Sequence, residues 1–163
     1  MTEEPNFTIL AGVEDGITLL KSAWLATMDS PVVRDGAVAV SGDKILAAGT
    51  AANLHRIYPH AAVEDLGDVV LLPGLVNAHV HLELSDQHPG NKPENFVGWI
   101  LNLMAQTARA GASEQERVEL AVRQGVRQSL RFGVTTVGDI SKQCRISRPV
   151  LKDGPLRVVS YGE

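Results

Sequence analysis

Two histidines, His79 and His81, stand two residues apart at the end of an apolar run. In a β-strand the side chains at i and i+2 point to the same face, so a strand here would place both imidazoles side by side. On a helix the same spacing would separate them by about 200°. Imidazole nitrogens are common zinc ligands, and the pair therefore predicts half of a metal site.

Short strands with turn residues between them fill the chain before this pair. The predicted strands are 17–28, 37–40, 45–49, 63–66 and 69–72, with 7–10 as a further short candidate. Gly42-Asp43 lies between two of them and predicts a hairpin turn. Thr50 is placed to cap a short helix that ends before Pro59. We expect residues 1–73 to form a small β-rich module.

After Pro73 the pattern changes to strands that alternate with helices. The predicted strands are 75–81, 134–140 and 156–161, and the predicted helices open at 93–95 and at 113. Ser113 and Glu116 have the spacing of a capping box. The basic stretch 142–148 is interpreted as a solvated loop. Strands that alternate with helices are typical of a parallel sheet, so residues 74–163 are predicted to be an α/β domain.

Composition excludes several classes of partner. The chain has 163 residues, 44% of them hydrophobic, and a formal net charge of −4, which gives no reason to expect nucleic acid or an anionic membrane. It contains no apolar run of about 18 residues and no signal-peptide pattern at its start. The lone cysteine, Cys144, allows no internal disulfide and has no His or Cys neighbour, so we expect a cytoplasmic protein with an inert thiol.

The string PGLVNAHVH at 73–81 resembles the first barrel strand of the amidohydrolase superfamily. Phe96-x-x-Trp99 and the segment GVTTVGD at 133–139 extend the resemblance to the cytosine, guanine and adenosine-type deaminase and chlorohydrolase branch. Within that branch, the residues from His79 to Ser85 are similar to aminodeoxyfutalosine deaminase-like proteins.

The resemblance implies a fold and a metal site. The fold is a (β/α)8 TIM barrel with its metal at the carboxyl ends of the strands, together with a small β-sandwich built in part from the N-terminal residues. His79 and His81 match the metal ligands of the first strand. One divalent metal, Zn or Fe, is implied, and its remaining ligands and the proton-shuttling Glu belong to later strands. No residue of this chain can be matched to them, so the catalytic residues stay unknown.

Length sets a limit on this expectation. A complete barrel needs about 250 residues and at least about 200, whereas this chain has 163. The part after the β-rich module has room for about three strands. We expect an incomplete barrel, inactive alone, whose partners are the missing C-terminal part of the same enzyme, a small-molecule substrate and further copies in a homo-oligomer.

The implied chemistry is hydrolytic deamination of an amino-substituted purine, pyrimidine or nucleoside by metal-activated water, whose pKa falls to about 7 on a metal. A carboxylate would move the protons as ammonia leaves. Two alternatives stay open. One is hydrolysis of a cyclic amide or a triazine in the same superfamily, and the other is a non-catalytic domain that binds metal or mediates assembly.

Other polar and aromatic residues are candidates for contacts with substrate. Glu83 follows His81 by two residues and could share its face, although a loop carboxylate is the alternative. Trp99 could cover a pocket mouth or belong to the core of its helix. Glu163 stands at the end of the last strand. Asp139 ends the middle strand on the same side, where an active-site role and a buried structural hydrogen bond are equally expected.

Overall fold

The computed structural model describes residues 16–87, 95–108 and 113–163. The chain divides into two units, Met1–Pro73 and Gly74–Glu163, each with its own sheet. The suggested strand at 7–10 and the predicted helix start at Pro93 lie outside the described residues.

The first unit is built on one five-stranded sheet. Its elements are β1 Ile17–Leu25, β2 Val33–Ser41, β3 Lys44–Thr50, α1 Ala51–Ile57, β4 Ala62–Asp65 and β5 Val70–Leu71. The strand order is β3-β2-β1-β4, and β5 also pairs with β1. The two hairpin pairings are antiparallel, whereas β4 and β5 run parallel to β1. The predicted hairpin is confirmed, and Gly42 supplies the positive φ of +56° in its turn.

A small core holds this unit together. It consists of Leu19, Ala37, Ala39, Leu46, Ala47 and Leu54. Leu54 comes from α1, which begins where predicted because the Thr50 hydroxyl accepts a hydrogen bond from the Asn53 backbone N–H at 3.3 Å. The described strands form one sheet here, and the second sheet of a sandwich stays a prediction.

The second unit is an α/β structure with a parallel sheet, which confirms the predicted fold class. Its elements are β6 Leu75–Val80, a short 3₁₀ turn Leu82–Leu84, α2 Phe96–Ala108, α3 Glu114–Arg131, β7 Val134–Ser141, α4 Cys144–Lys152 and β8 Arg157–Gly162. The strand order is β6-β7-β8, and both pairings are parallel. The carboxyl ends of the three strands therefore meet at one edge of the sheet.

Helix α3 packs on this sheet through one buried face. The Ser113 hydroxyl accepts a hydrogen bond from the Glu116 backbone N–H at 3.3 Å and caps the helix. Its buried residues are Val118, Ala121, Val122 and Gly125. Val118 and Val122 pack in one core with Leu82, Val137, Leu151 and Leu156. Since each fully buried aliphatic side chain contributes about 1.5–3 kcal/mol, this core fixes the helix over the sheet.

The interpretation of 142–148 as a loop is wrong, because α4 begins at Cys144 and continues to Lys152. Sequence signals for a helix are weak here: Gln143 makes no side-chain cap and Pro149 lies inside the helix. Tertiary packing stabilises it instead, since Ser147 and Leu151 are buried and lie one turn apart. No helix within the described ranges is long and apolar enough to cross a membrane.

Candidate metal centre

The two histidines lie together at the carboxyl end of β6. Their ring centroids are 5.4 Å apart and the ring planes are inclined by 75°. His79 is exposed and His81 partly buried, so the pair borders open space. Two imidazoles on one tetrahedral zinc, with Zn–N distances of about 2.1 Å, would have centroids about 5 Å apart. The separation and the donor type therefore fit one shared metal ion.

The strand is irregular where it carries these histidines. Asn77 pairs with Val137, but the next pair is Val80 with Asp139, so β6 has one residue more than β7 in this interval. Such a bulge re-aims side chains at a strand end. The His79 backbone N–H donates to Asn77 Oδ1 at 3.3 Å, which satisfies the amide inside the irregular segment.

Gly138 of β7 lies against this bulge. A Cβ atom built on Gly138 would overlap the carbonyl oxygen of Ala78 and stand 2.9 Å from its carbonyl carbon. Only a residue without a Cβ allows the β6 backbone to approach so closely.

Glu83 is buried rather than open to solvent, with 5% of its surface exposed. Its carboxylate accepts hydrogen bonds from the Ser141 hydroxyl, from the Lys142 backbone N–H at 3.1 Å and from the Gln143 backbone N–H at 2.9 Å. The structure thus brings Glu83 to the turn that follows β7. Its role as a substrate contact stays a prediction.

Asp139 lies on β7 and is fully buried. Its Oδ1 accepts the Leu82 backbone N–H at 3.1 Å, whereas Oδ2 has no hydrogen-bond partner among the described residues. Burial raises the pKa of this carboxyl, the bond from Leu82 opposes that shift, and the charge of Glu83 adds to it. The structure shows the buried hydrogen bond that was one of the two expectations for Asp139.

The remaining candidates lie on other elements. Trp99 is half exposed on α2, where its ring stands 5.6 Å from that of Phe96. Glu163 is exposed after β8, and its backbone N–H donates to the Ser141 carbonyl at 3.2 Å. Both stay predicted substrate contacts. Cys144 is a free, partly buried cysteine at the start of α4.

Within the described ranges, no group of three or more His, Cys, Asp or Glu side chains could hold a metal ion. Protein zinc sites use three or four protein ligands, so His79 and His81 are a partial site. Sequence reasoning missed the buried hydroxyls of Ser141 and Ser147. The Ser147 hydroxyl donates to the Ser141 hydroxyl, which donates to the Glu83 carboxylate. Small polar residues at a strand end carry no spacing pattern, and their positions emerge only from the fold.

A parallel α/β sheet with two histidines at its carboxyl edge has the arrangement of α/β enzymes whose active sites lie at the strand ends. Residues 70–155, more than half of the chain, match the model of the amidohydrolase family. The chain belongs to this family. Residues 36–61 also match the imidazolonepropionase-like composite domain of bacteria.

Three relatives illustrate the similarity. Adenosine deaminase of Helicobacter pylori is 31% identical over 124 residues, which are 76% of this chain and 29% of that protein. The crystal structure of Helicobacter pylori aminofutalosine deaminase in complex with methylthio-coformycin has a TM-score of 0.71 at 27% identity, covering 88% of this chain and 34% of the other. An adenosine deaminase from Xanthomonas campestris with bound zinc has a TM-score of 0.64 at 23% identity, covering 87% and 33%. The chain therefore spans about a third of the length of these relatives.

Proposed function

We propose that this chain is part of a metal-dependent hydrolase that deaminates an amino-substituted purine, pyrimidine or nucleoside. The observation that carries the proposal is the pairing of His79 and His81 at a separation that suits one metal ion, in a chain of the amidohydrolase family. Relatives named as adenosine and aminofutalosine deaminases support the choice of reaction.

The proposal gives the two histidines the task of holding one divalent ion, zinc or iron(II). When bound, that ion supplies Lewis acidity and lowers the pKa of a water molecule to about 7. The imidazoles would hold the ion at the open edge of the sheet, where β6 bulges and the two ring centroids are 5.4 Å apart. Glu83, Trp99 and Glu163 are proposed to contact the substrate around this edge.

We assign the remaining ligands and the proton-transferring group to barrel strands that relatives possess and this chain does not match. The chain spans 29% of the Helicobacter pylori adenosine deaminase. Leu75, Val76, Val159 and Tyr161 on the outer strands β6 and β8 are more than half exposed, as expected where further elements would pack. The proposal is that the 163 residues alone turn over no substrate and associate with a complementary chain or with further copies of themselves.

A second candidate function is hydrolysis of a cyclic amide or a triazine. The match of residues 36–61 to an imidazolonepropionase-like domain favours it. Both reactions use an activated water on a carbon bonded to nitrogen, so the histidine pair serves either one. The free Cys144 fits a reducing compartment, and the proposal places the enzyme in the cytoplasm.

Zinc titration of the 163-residue chain against a chromogenic chelator tests the metal assignment. We expect one zinc per chain, and His79→Ala or His81→Ala should weaken binding at least about tenfold, since one of two ligands is lost. His60→Ala is the matched control, because His60 is an exposed histidine of the first unit. Equal zinc affinity in wild type and both strand variants would refute the assignment.

An ammonia-release assay across aminopurines, nucleosides, cytosine and aminotriazines tests the reaction, and an assay for ring opening of an imidazolone tests the second candidate. The chain alone should release no ammonia. Turnover that disappears in His79→Ala would overturn the proposed inactivity and show that these residues suffice.

A further inference from the structure

We propose that Glu83 and Asp139 are positioning residues that lock the histidine-bearing end of β6 onto β7. This pair of side chains is called the carboxylate clamp below. The inference rests on the proposed metal role of the two histidines, and it assigns a function to two buried acids that are not among the proposed metal ligands.

The first half of the clamp reaches from β7 to β6. Asp139 pairs with Val80, the last residue of β6, and its Oδ1 accepts the Leu82 backbone N–H at 3.1 Å. Leu82 directly follows His81, and its own side chain is 1% exposed in the core. The backbone on the C-terminal side of His81 is thus fixed by a side chain of the neighbouring strand.

The second half reaches in the opposite direction. Glu83 lies beyond the end of β6, and its carboxylate accepts three hydrogen bonds from the end of β7 and the turn into α4. Two of these donors are backbone N–H groups, of Lys142 and Gln143, and the third is the buried hydroxyl of Ser141. Each strand end therefore supplies a carboxylate to the backbone of the other, and the connection is reciprocal.

The carboxylate clamp lies where the hydrogen-bond ladder between β6 and β7 ends. Regular pairing is interrupted between Asn77 and Val80, and β6 ends at Val80. His79 lies inside the interruption and His81 beyond the last ladder pair. Without other connections His81 would lie on an unpaired strand end next to the interrupted segment that carries His79. The hydrogen bonds to Asp139 and Glu83 take the place of the missing ladder.

Burial explains why Glu83 suits this task. A buried carboxylate is costly unless it is hydrogen-bonded, and hydrogen bonds from backbone N–H groups to a charged carboxylate are stronger than those between neutral groups. With 5% exposure and three donors, Glu83 is held by protein rather than by water. The proposal is that Glu83 acts indirectly, by positioning the two histidines. Substitution of Glu83 should therefore change metal affinity, whereas loss of a substrate contact alone would not.

The test uses the 163-residue chain with Glu83→Gln and Asp139→Ala. Zinc affinity should fall about 10- to 100-fold in each variant, the loss typical when residues that orient metal ligands are removed. Amide hydrogen exchange should accelerate at Leu82 in Asp139→Ala and at Lys142 and Gln143 in Glu83→Gln, while amides of the first unit keep their protection.

Ser22→Ala is the matched control. Ser22 is a buried serine of the first unit whose hydroxyl donates to the Trp24 carbonyl at 2.9 Å. Its loss should lower stability without changing zinc affinity. Ser141→Ala removes a single donor to Glu83 and so retains most of the clamp. It replaces Glu83→Gln in the zinc titration if that variant does not fold. In that case weaker zinc binding by Ser141→Ala supports the clamp.

The outcomes separate the clamp from the metal assignment. If wild type binds zinc and both clamp variants bind it within twofold, the clamp as a positioning device is overturned. If wild type binds no zinc, the proposed function fails, and exchange decides the clamp alone: unchanged protection at Leu82 in Asp139→Ala and at Gln143 in Glu83→Gln overturns it.

Discussion

Gly138 offers the sharpest test of the geometry beside the histidines. Alanine normally stabilises a strand position relative to glycine by about 0.5–1 kcal/mol. At Gly138 we expect the opposite sign. The added Cβ would overlap the carbonyl oxygen of Ala78 and stand 2.9 Å from its carbonyl carbon.

The magnitude follows from that overlap. Carbon atoms in van der Waals contact are about 3.5–4.0 Å apart, so the two strands would have to separate by roughly 0.6–1.1 Å. The obstacle is backbone inside a paired sheet and cannot rotate away. Overpacking of this kind costs about 1–3 kcal/mol, which more than cancels the ordinary gain from alanine.

Urea unfolding followed by circular dichroism measures the effect, with Gly162→Ala as the control. Gly162 is also a strand glycine, but its Cβ would meet only Cys144 Sγ at 3.8 Å, an ordinary contact. Gly138→Ala should lower the midpoint by about 1 M for a loss near 2 kcal/mol, whereas Gly162→Ala should leave it equal or higher. A Gly138→Ala protein as stable as wild type would refute the close approach at Ala78.

Three further changes probe other parts of the chain. Leu82→Ala should cost about 2–5 kcal/mol by opening a cavity in the second core, and a urea midpoint equal to wild type would contradict the packing. Ser113→Ala should cost about 1 kcal/mol through loss of the cap on the Glu116 N–H, whereas Ser113→Asp should retain stability by the same measurement. The hydrogen bond from Lys21 lowers the pKa of Asp65 below 3.8, so its stabilisation is present above that pH and lost as pH falls through the folded pKa. Asp65→Asn should therefore flatten the acid side of the stability profile, and an unchanged pH profile would argue against the ion pair.

Much of the fold follows from local sequence signals. Thr50 and Ser113 mark helix starts, and each caps its helix in the structure. The apolar segments around 17–28 and 134–140 became β1 and β7 because β-branched and aliphatic runs fit a pleated, buried surface. The proximity of His79 and His81 was also expected from strand periodicity, although β6 bulges there and ends at Val80.

The parts that were missed depend on contacts between distant segments. Helix α4 is stabilised by Leu151 in the core, although Pro149 argues against a helix in isolation. The substrate contact of Glu83 stays a prediction, but its hydrogen bonds to Ser141 and Gln143, 58 and 60 positions away in sequence, were not foreseen. No local pattern reports which strand end a carboxylate will meet once the sheet has formed.

The order β6-β7-β8 has a consequence for how the second unit is made on the ribosome. Each strand pairs with the one synthesised before it, so the sheet can grow in one direction as the chain emerges. β7 docks onto β6 only after α3 has left the exit tunnel, and β8 adds to a pair that already exists. The interval between synthesis of a strand and of its partner is therefore longest for β6. The nascent chain exposes the edge of β6 until Val134–Ser141 has been synthesised.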